Sequence, residues 1–215
     1  MTRLKSQARE VLPVGKMRQD ETSSATQGDR QIMALIERLS LLQPDSHYRD
    51  DSRGLYACRL ALDALEQGNY GVAALLVDPQ GNVVAQSENR VFSEDGHGRY
   101  HSHAHAEMLL VDQLEAGLVP YPTAKLTLLV TLEPCPMCLT RLLLSGIGSV
   151  RYMADDPQGG MLTHADKLPP AWRNLMQLQN HYKAHLSEPV RRLAGDIASA
   201  HQDVLRRKLL TYIRP

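Results

Sequence analysis

Apolar residues recur at three- and four-residue spacing over 29–42, where Ile32, Leu35, Ile36, Leu39 and Leu42 share one face. This predicts a helix, which Pro44 ends. A second stripe, Leu55, Cys58, Leu62 and Leu65, predicts a helix over 52–67, with Ser52 as N-cap and Gly68-Asn69 closing it. Between the two lies a charged linker, 45–51. The pattern then shortens to that of strands: 71–77 and 82–87 flank Asp78-Pro79-Gln80-Gly81, which reads as a hairpin. No apolar period survives over 88–101, a loop. Helices over 104–116 and from Pro136 to Ser145-Gly146 enclose a strand at 126–132, apolar enough for burial on both faces, and a further strand follows at 149–154. Beyond it, 155–170 reads as loop and both 171–183 and 188–211 as helical; the pattern does not place a fifth strand near 178–184.

The order helix–β–β–helix–β–helix–β indicates a sheet covered by helices, an α/β layered domain. The expected organisation is a polar tail (1–28), an extra helix and linker (29–51), a core (52–160) and a C-terminal helical segment that completes the domain (161–215). No internal repeat is visible.

Composition narrows the partners. Lys+Arg and Asp+Glu are both 24, so the formal net charge is zero and nothing in bulk holds a phosphate backbone. Aromatics are 5%, few for a single-strand stacking surface. Nucleic acid is therefore not the favoured partner. Arg191-Arg192 and Arg206-Arg207-Lys208 read by default as solvated helix faces, and Trp172 as core or interface. No run is long and apolar enough to span a membrane, and no apolar segment follows the basic N-terminus, so neither a span nor a signal peptide is expected. Of three cysteines, two stand in a metal-type spacing and Cys58 lies on a packing face. That is no disulfide framework and fits a cytoplasmic setting.

The chemistry gathers in two short segments, His105-Ala106-Glu107 and Pro134-Cys135-Pro136-Met137-Cys138. Together they form the H-x-E and P-C-x-x-C arrangement of hydrolytic zinc deaminases. One His and two Cys would hold Zn2+, a fourth metal position would stay free for water, and Glu107 would move protons. Both segments fall at predicted helix starts, where unpaired N–H groups and partial positive charge favour thiolates. Cys135 and Cys138 sit one turn apart, and Pro136 suits the first helical position. By itself C-x-x-C also describes a redox pair or half of a structural zinc site. A structural site needs a fourth protein ligand, which His101 or His103 would supply. His97, His101 and His103 otherwise read as loop polarity.

At these residues, together with Val130-Thr131-Leu132-Glu133, the hairpin 71–87 and the segment 145–150, the chain resembles the cytidine/deoxycytidylate deaminase superfamily. The likeness is to the branch of tRNA adenosine, guanine and cytosine deaminases, and it covers roughly 52–160. It implies a three-layer α/β/α sandwich around a five-stranded sheet, and a homodimer. It also implies a base-contacting Asn, matched here by Asn89, and main-chain contacts at Ala106 and Cys135 to base or water. Asn89 alone reads equally as a turn residue. The loop from Asn89 to His105 looks longer than in tRNA-acting members. The expectation is a zinc-dependent deaminase of a small nucleobase, nucleoside or related heterocycle. An RNA adenosine editor and a non-catalytic module with a structural zinc remain alternatives.

Overall fold

A computed structural model describes residues 20–93 and 100–214; the side chains of 20–27 are not described. His97 and the first nineteen residues of the expected tail lie outside the described residues. The elements run α1 (Asp20–Leu41), α2 (Asp51–Glu66), β1 (Ala73–Val77), β2 (Val83–Glu88), α3 (Ala106–Glu115), β3 (Thr127–Leu132), α4 (Pro136–Leu144), β4 (Ser149–Ala154), α5 (Pro170–Met176), β5 (Asn180–Lys183), α6 (Glu188–Ser199) and α7 (Gln202–Ile213).

The five strands form one mixed sheet in the order β2-β1-β3-β4-β5. β1 runs antiparallel to β2 and β3, whereas β3, β4 and β5 are parallel. The period-2 rule divides the side chains between two cores. Leu75, Leu129 and Met153 face α1, α2 and α6, among Leu62, Leu193 and Ile197. Leu76, Leu128, Val130 and Val150 face α3 and α4, among Met108, Leu110 and Leu142. The architecture is the α/β/α sandwich that the resemblance implied. Cys58 is fully buried in the first core. The turn between β1 and β2 is built by Asp78, whose carboxylate accepts the N–H groups of Gln80 and Asn82, and Gly81 takes φ +91°.

Five readings of the pattern change. The first helix starts at Asp20, inside the stretch expected to be a tail. Helix α2 is not capped by Ser52: its N-cap is Asp50, whose carboxylate is turned to Arg53, Arg151 and the His185 N–H instead. The span 171–183 splits into α5 and the edge strand β5, whose pairing with β4 outweighs its helical pattern. The span 188–211 breaks at Ala200–His201, where His201 takes the left-handed φ of +58°. Part of the expected loop, Leu162–Lys167, is a 3-10 helix.

Candidate active site

Two helix starts converge. His105 is the N-cap of α3 and Cys135 the N-cap of α4, both with extended backbone. At Cys135 the following Pro136 disfavours helical dihedrals, so the chain enters α4 abruptly at that residue. Side chains lean toward a helix's N-terminus, which carries Cys138, one turn in, back toward Cys135. His105 Nδ1 lies 3.8 Å from Cys135 Sγ and 3.5 Å from Cys138 Sγ. The three donor atoms all fall within 4.8 Å of one another. Tetrahedral zinc with ordinary Zn–S and Zn–N bonds requires an S···N separation of about 3.6 Å, so the donor set fits such an ion without rearrangement.

Among the described residues this is the one group of three or more His, Cys, Asp and Glu donors close enough to share a metal, and neither His101 nor His103 joins it. Those two rings meet each other edge to face at 6.2 Å, and the backbone between them turns the chain into α3.

The electrostatics suit a cation. The Cys138 thiol hydrogen-bonds to Cys135 and lowers that thiol to about 4, against burial and with help from His105. Cys138 is pushed up by the same contact and by burial. The pair therefore holds a thiolate at neutral pH, the form that binds metal. Glu107, the second residue of α3, is 3% exposed. Burial raises its pKa, the His105 ring opposes that, and Cys135 adds to it. A carboxyl whose pKa is raised by burial holds a proton more readily than a free one, as a group that accepts and then donates a proton must.

These groups open onto a cavity of about 230 Å³, lined by Asn89, His105, Glu107 and Cys135 among others. That is below the roughly 300–1,000 Å³ of sites for drug-sized ligands, and matches a single heterocycle. Asn89 follows β2, is 3% exposed, and accepts the Val91 N–H on Oδ1. It thus makes the turn expected of a loop Asn while its Nδ2 makes no hydrogen bond among the described residues. Ala106 is fully buried, packed into the core under α3.

The sequence reading missed several wall residues. Glu133 is nearly buried, and its two oxygens accept the N–H groups of Thr163 and Asp156, pinning the 155–163 loop beside the cavity. A Cβ at Gly160 would meet that carboxylate at 2.4 Å, so only glycine fits there. Arg206, read as part of a solvated face, is exposed and also lines the cavity with Gln202 and Ala198. Nothing in its local spacing signals this, because α7 reaches the site only through tertiary packing.

Residues 50–154 match the family model described as the cytidine and deoxycytidylate deaminase zinc-binding region. The tRNA-specific adenosine deaminase of Bacillus subtilis (strain 168) is 34% identical over 154 residues, covering 71% of this chain and 88% of the relative. A solved structure from work on A-to-I editing by tRNA:A34 deaminases at the wobble position shares 26% identity at a TM-score of 0.52, covering 66% of this chain and 94% of that one. The guanine deaminase from Nitrosomonas europaea shares the fold at 19% identity and a TM-score of 0.53, covering 90% of this chain and all of that one.

Proposed function

We propose that this chain, which belongs to the cytidine/deoxycytidylate deaminase superfamily, is a zinc-dependent hydrolase that releases ammonia from a free nucleobase, nucleoside or related small heterocycle. The observation that carries the reading is the His105, Cys135 and Cys138 donor set beside the buried Glu107, at the floor of a cavity sized for one ring system.

His105, Cys135 and Cys138 would hold the zinc. When bound, zinc supplies the Lewis acidity that makes water a nucleophile near neutral pH. Glu107 takes the proton that water gives up and returns protons to the ring nitrogen and to the leaving amine. Burial raises its pKa, which favours holding the proton that it then passes on. Asn89 contributes its amide N–H groups to orient the ring, and the backbone at Ala106 and Cys135, at the two converging helix starts, would contact base or water. The deaminase core is assigned to 52–160, with 161–215 completing the domain. A homodimer in a cytoplasmic setting completes the reading.

Ammonia release from guanine, cytosine, adenine, their nucleosides and aminotriazines by the zinc-loaded protein tests the proposal. Full activity of Glu107→Ala on the true substrate would refute the mechanism. The similarity to the Bacillus subtilis relative supports a second reading, a tRNA adenosine deaminase. Tight, salt-sensitive retention of tRNA in filter binding would favour it. Light scattering on the purified protein tests the dimer.

A further inference from the structure

The far wall of the cavity comes from α7, a helix outside the region matched by the family model. Its position has two causes. The left-handed turn at His201 redirects the chain after α6, and the His201 ring is hydrogen-bonded to the Gly28 carbonyl of α1. Farther along, Tyr212 stacks on Tyr100 at 5.7 Å, and Lys208 Nζ sits 4.7 Å above the Phe92 ring, clamping α7 to the loop that follows β2. Leu205 is buried in the core beneath.

That clamp presents Arg206 to the cavity. One guanidinium nitrogen, Nη2, donates to Gln158 Oε1 at 2.7 Å, which steadies the group from the loop below. Among the described residues Arg206 has no carboxylate partner. Its charge acts on Tyr70, another wall residue. An Arg carries five N–H donors in a planar fork, so most remain for a ligand. Asn89 offers donors as well, because its Oδ1 is taken by Val91 N–H and its Nδ2 makes no hydrogen bond among the described residues.

We infer that Arg206 is a specificity-determining residue of this site, reading an acceptor edge of the substrate ring and so selecting oxo-substituted aminoheterocycles, of the guanine or cytosine type, as free bases. The chemistry is that of an Arg fork on a carbonyl oxygen and neighbouring ring nitrogen, the pairing by which proteins read guanine. Adenine offers no carbonyl to such a fork. A nucleoside monophosphate also carries acceptors, but a cavity of about 230 Å³ is sized for one ring system. The inference rests on the proposed deaminase reading and narrows its substrate.

The test uses the zinc-loaded full chain carrying Glu107→Gln, which separates binding from turnover, with and without Arg206→Ala or Arg206→Lys. Calorimetry with guanine, cytosine, adenine and the corresponding 5′-monophosphates reads the affinities. The expected result is binding of an oxo base that weakens about 10- to 100-fold in Arg206→Ala, the range for a hydrogen bond to a charged group. Arg206→Lys should restore only part of it, and adenine should not respond. In the Glu107-intact protein the same change should raise KM for the oxo base with little effect on kcat. Binding of no oxo base, equal losses for all bases, no loss in Arg206→Ala, or preference for the monophosphates would overturn the inference. Oxo bases that bind through Arg206 but release no ammonia from the Glu107-intact protein would instead overturn the deaminase reading alone.

Discussion

Arg151 Nη1 on β4 lies 2.8 Å from the Oδ1 of Asp50, a carboxylate that is 1% exposed and sits at the start of α2. The contact joins the sheet to the helical layer. Arg53 donates to the same oxygen, and the other oxygen accepts the His185 N–H just after β5. Asp51, also buried, accepts N–H groups from Asp45 and Ser187. The charged linker between the first two helices is therefore a knot that ties α2 to β4 and the β5–α6 connection.

Removing one partner of this pair leaves the other charge poorly compensated. Arg151→Ala should destabilise the fold by about 3 kcal/mol, read as a lower urea midpoint at unchanged slope. A midpoint within a few tenths of a molar of the parent would remove the pair from the account.

Asp50 also sets a pH dependence. Burial pushes its pKa up, but the His185 N–H, Arg151 and Arg53 together outweigh that and hold it below its ordinary value. A folded-state pKa below the unfolded one adds stability that is complete well above pH 4 and is lost as pH falls through the folded value. Melting curves should show wild type losing stability below about pH 4, with Asp50→Asn losing less over the same interval. Parallel acid slopes in the two proteins would contradict the assignment.

Glu107→Gln keeps the size of the side chain and removes its proton exchange. Ammonia release should fall by about 10²- to 10⁴-fold while zinc content by atomic absorption stays at the parent level. Loss of metal along with activity would instead make Glu107 a support of the donor set.

Cys135→Ser, Cys138→Ser and His105→Ala should each abolish stoichiometric zinc after dialysis and lower the melting temperature toward that of chelator-treated wild type. Zinc retained at one equivalent in any of them would show that the residue is not a ligand.

Cys58 and Cys135 should differ sharply as thiols. Burial raises Cys58 to about 12, whereas Cys135 is lowered to about 4 by Cys138. In chelator-treated native protein at pH 7, a thiol reagent should label Cys135 quickly and Cys58 only on unfolding. Mass spectrometry of the labelled peptides distinguishes them.

Much of the site was legible because its determinants are local. His105 and Glu107 are two residues apart, and Cys135 and Cys138 one helical turn apart. Pro136 itself sets the entry to α4. The continuous apolar run Ala73–Val77, buried throughout, suits a central strand covered on both faces. The sequence pattern failed where a contact across the chain decided the outcome. Asn180–Lys183 has no strong strand pattern, yet pairs with β4 because an open sheet edge lay beside it. His201 adopts a left-handed conformation that costs a non-glycine residue about 1 kcal/mol, held by a bond to Gly28 over 170 residues earlier.

The chain alone therefore determined the reacting groups and the layered fold, since helix period, strand alternation and ligand spacing are all properties of neighbouring residues. Tertiary structure decided what stands opposite those groups. Asp50 is a structural anchor, and Arg206, exposed as its helix face implied, also lines the cavity, because each is placed by partners distant in sequence. Local periodicity reports which face of an element is apolar; it carries no information about which distant element that face will meet.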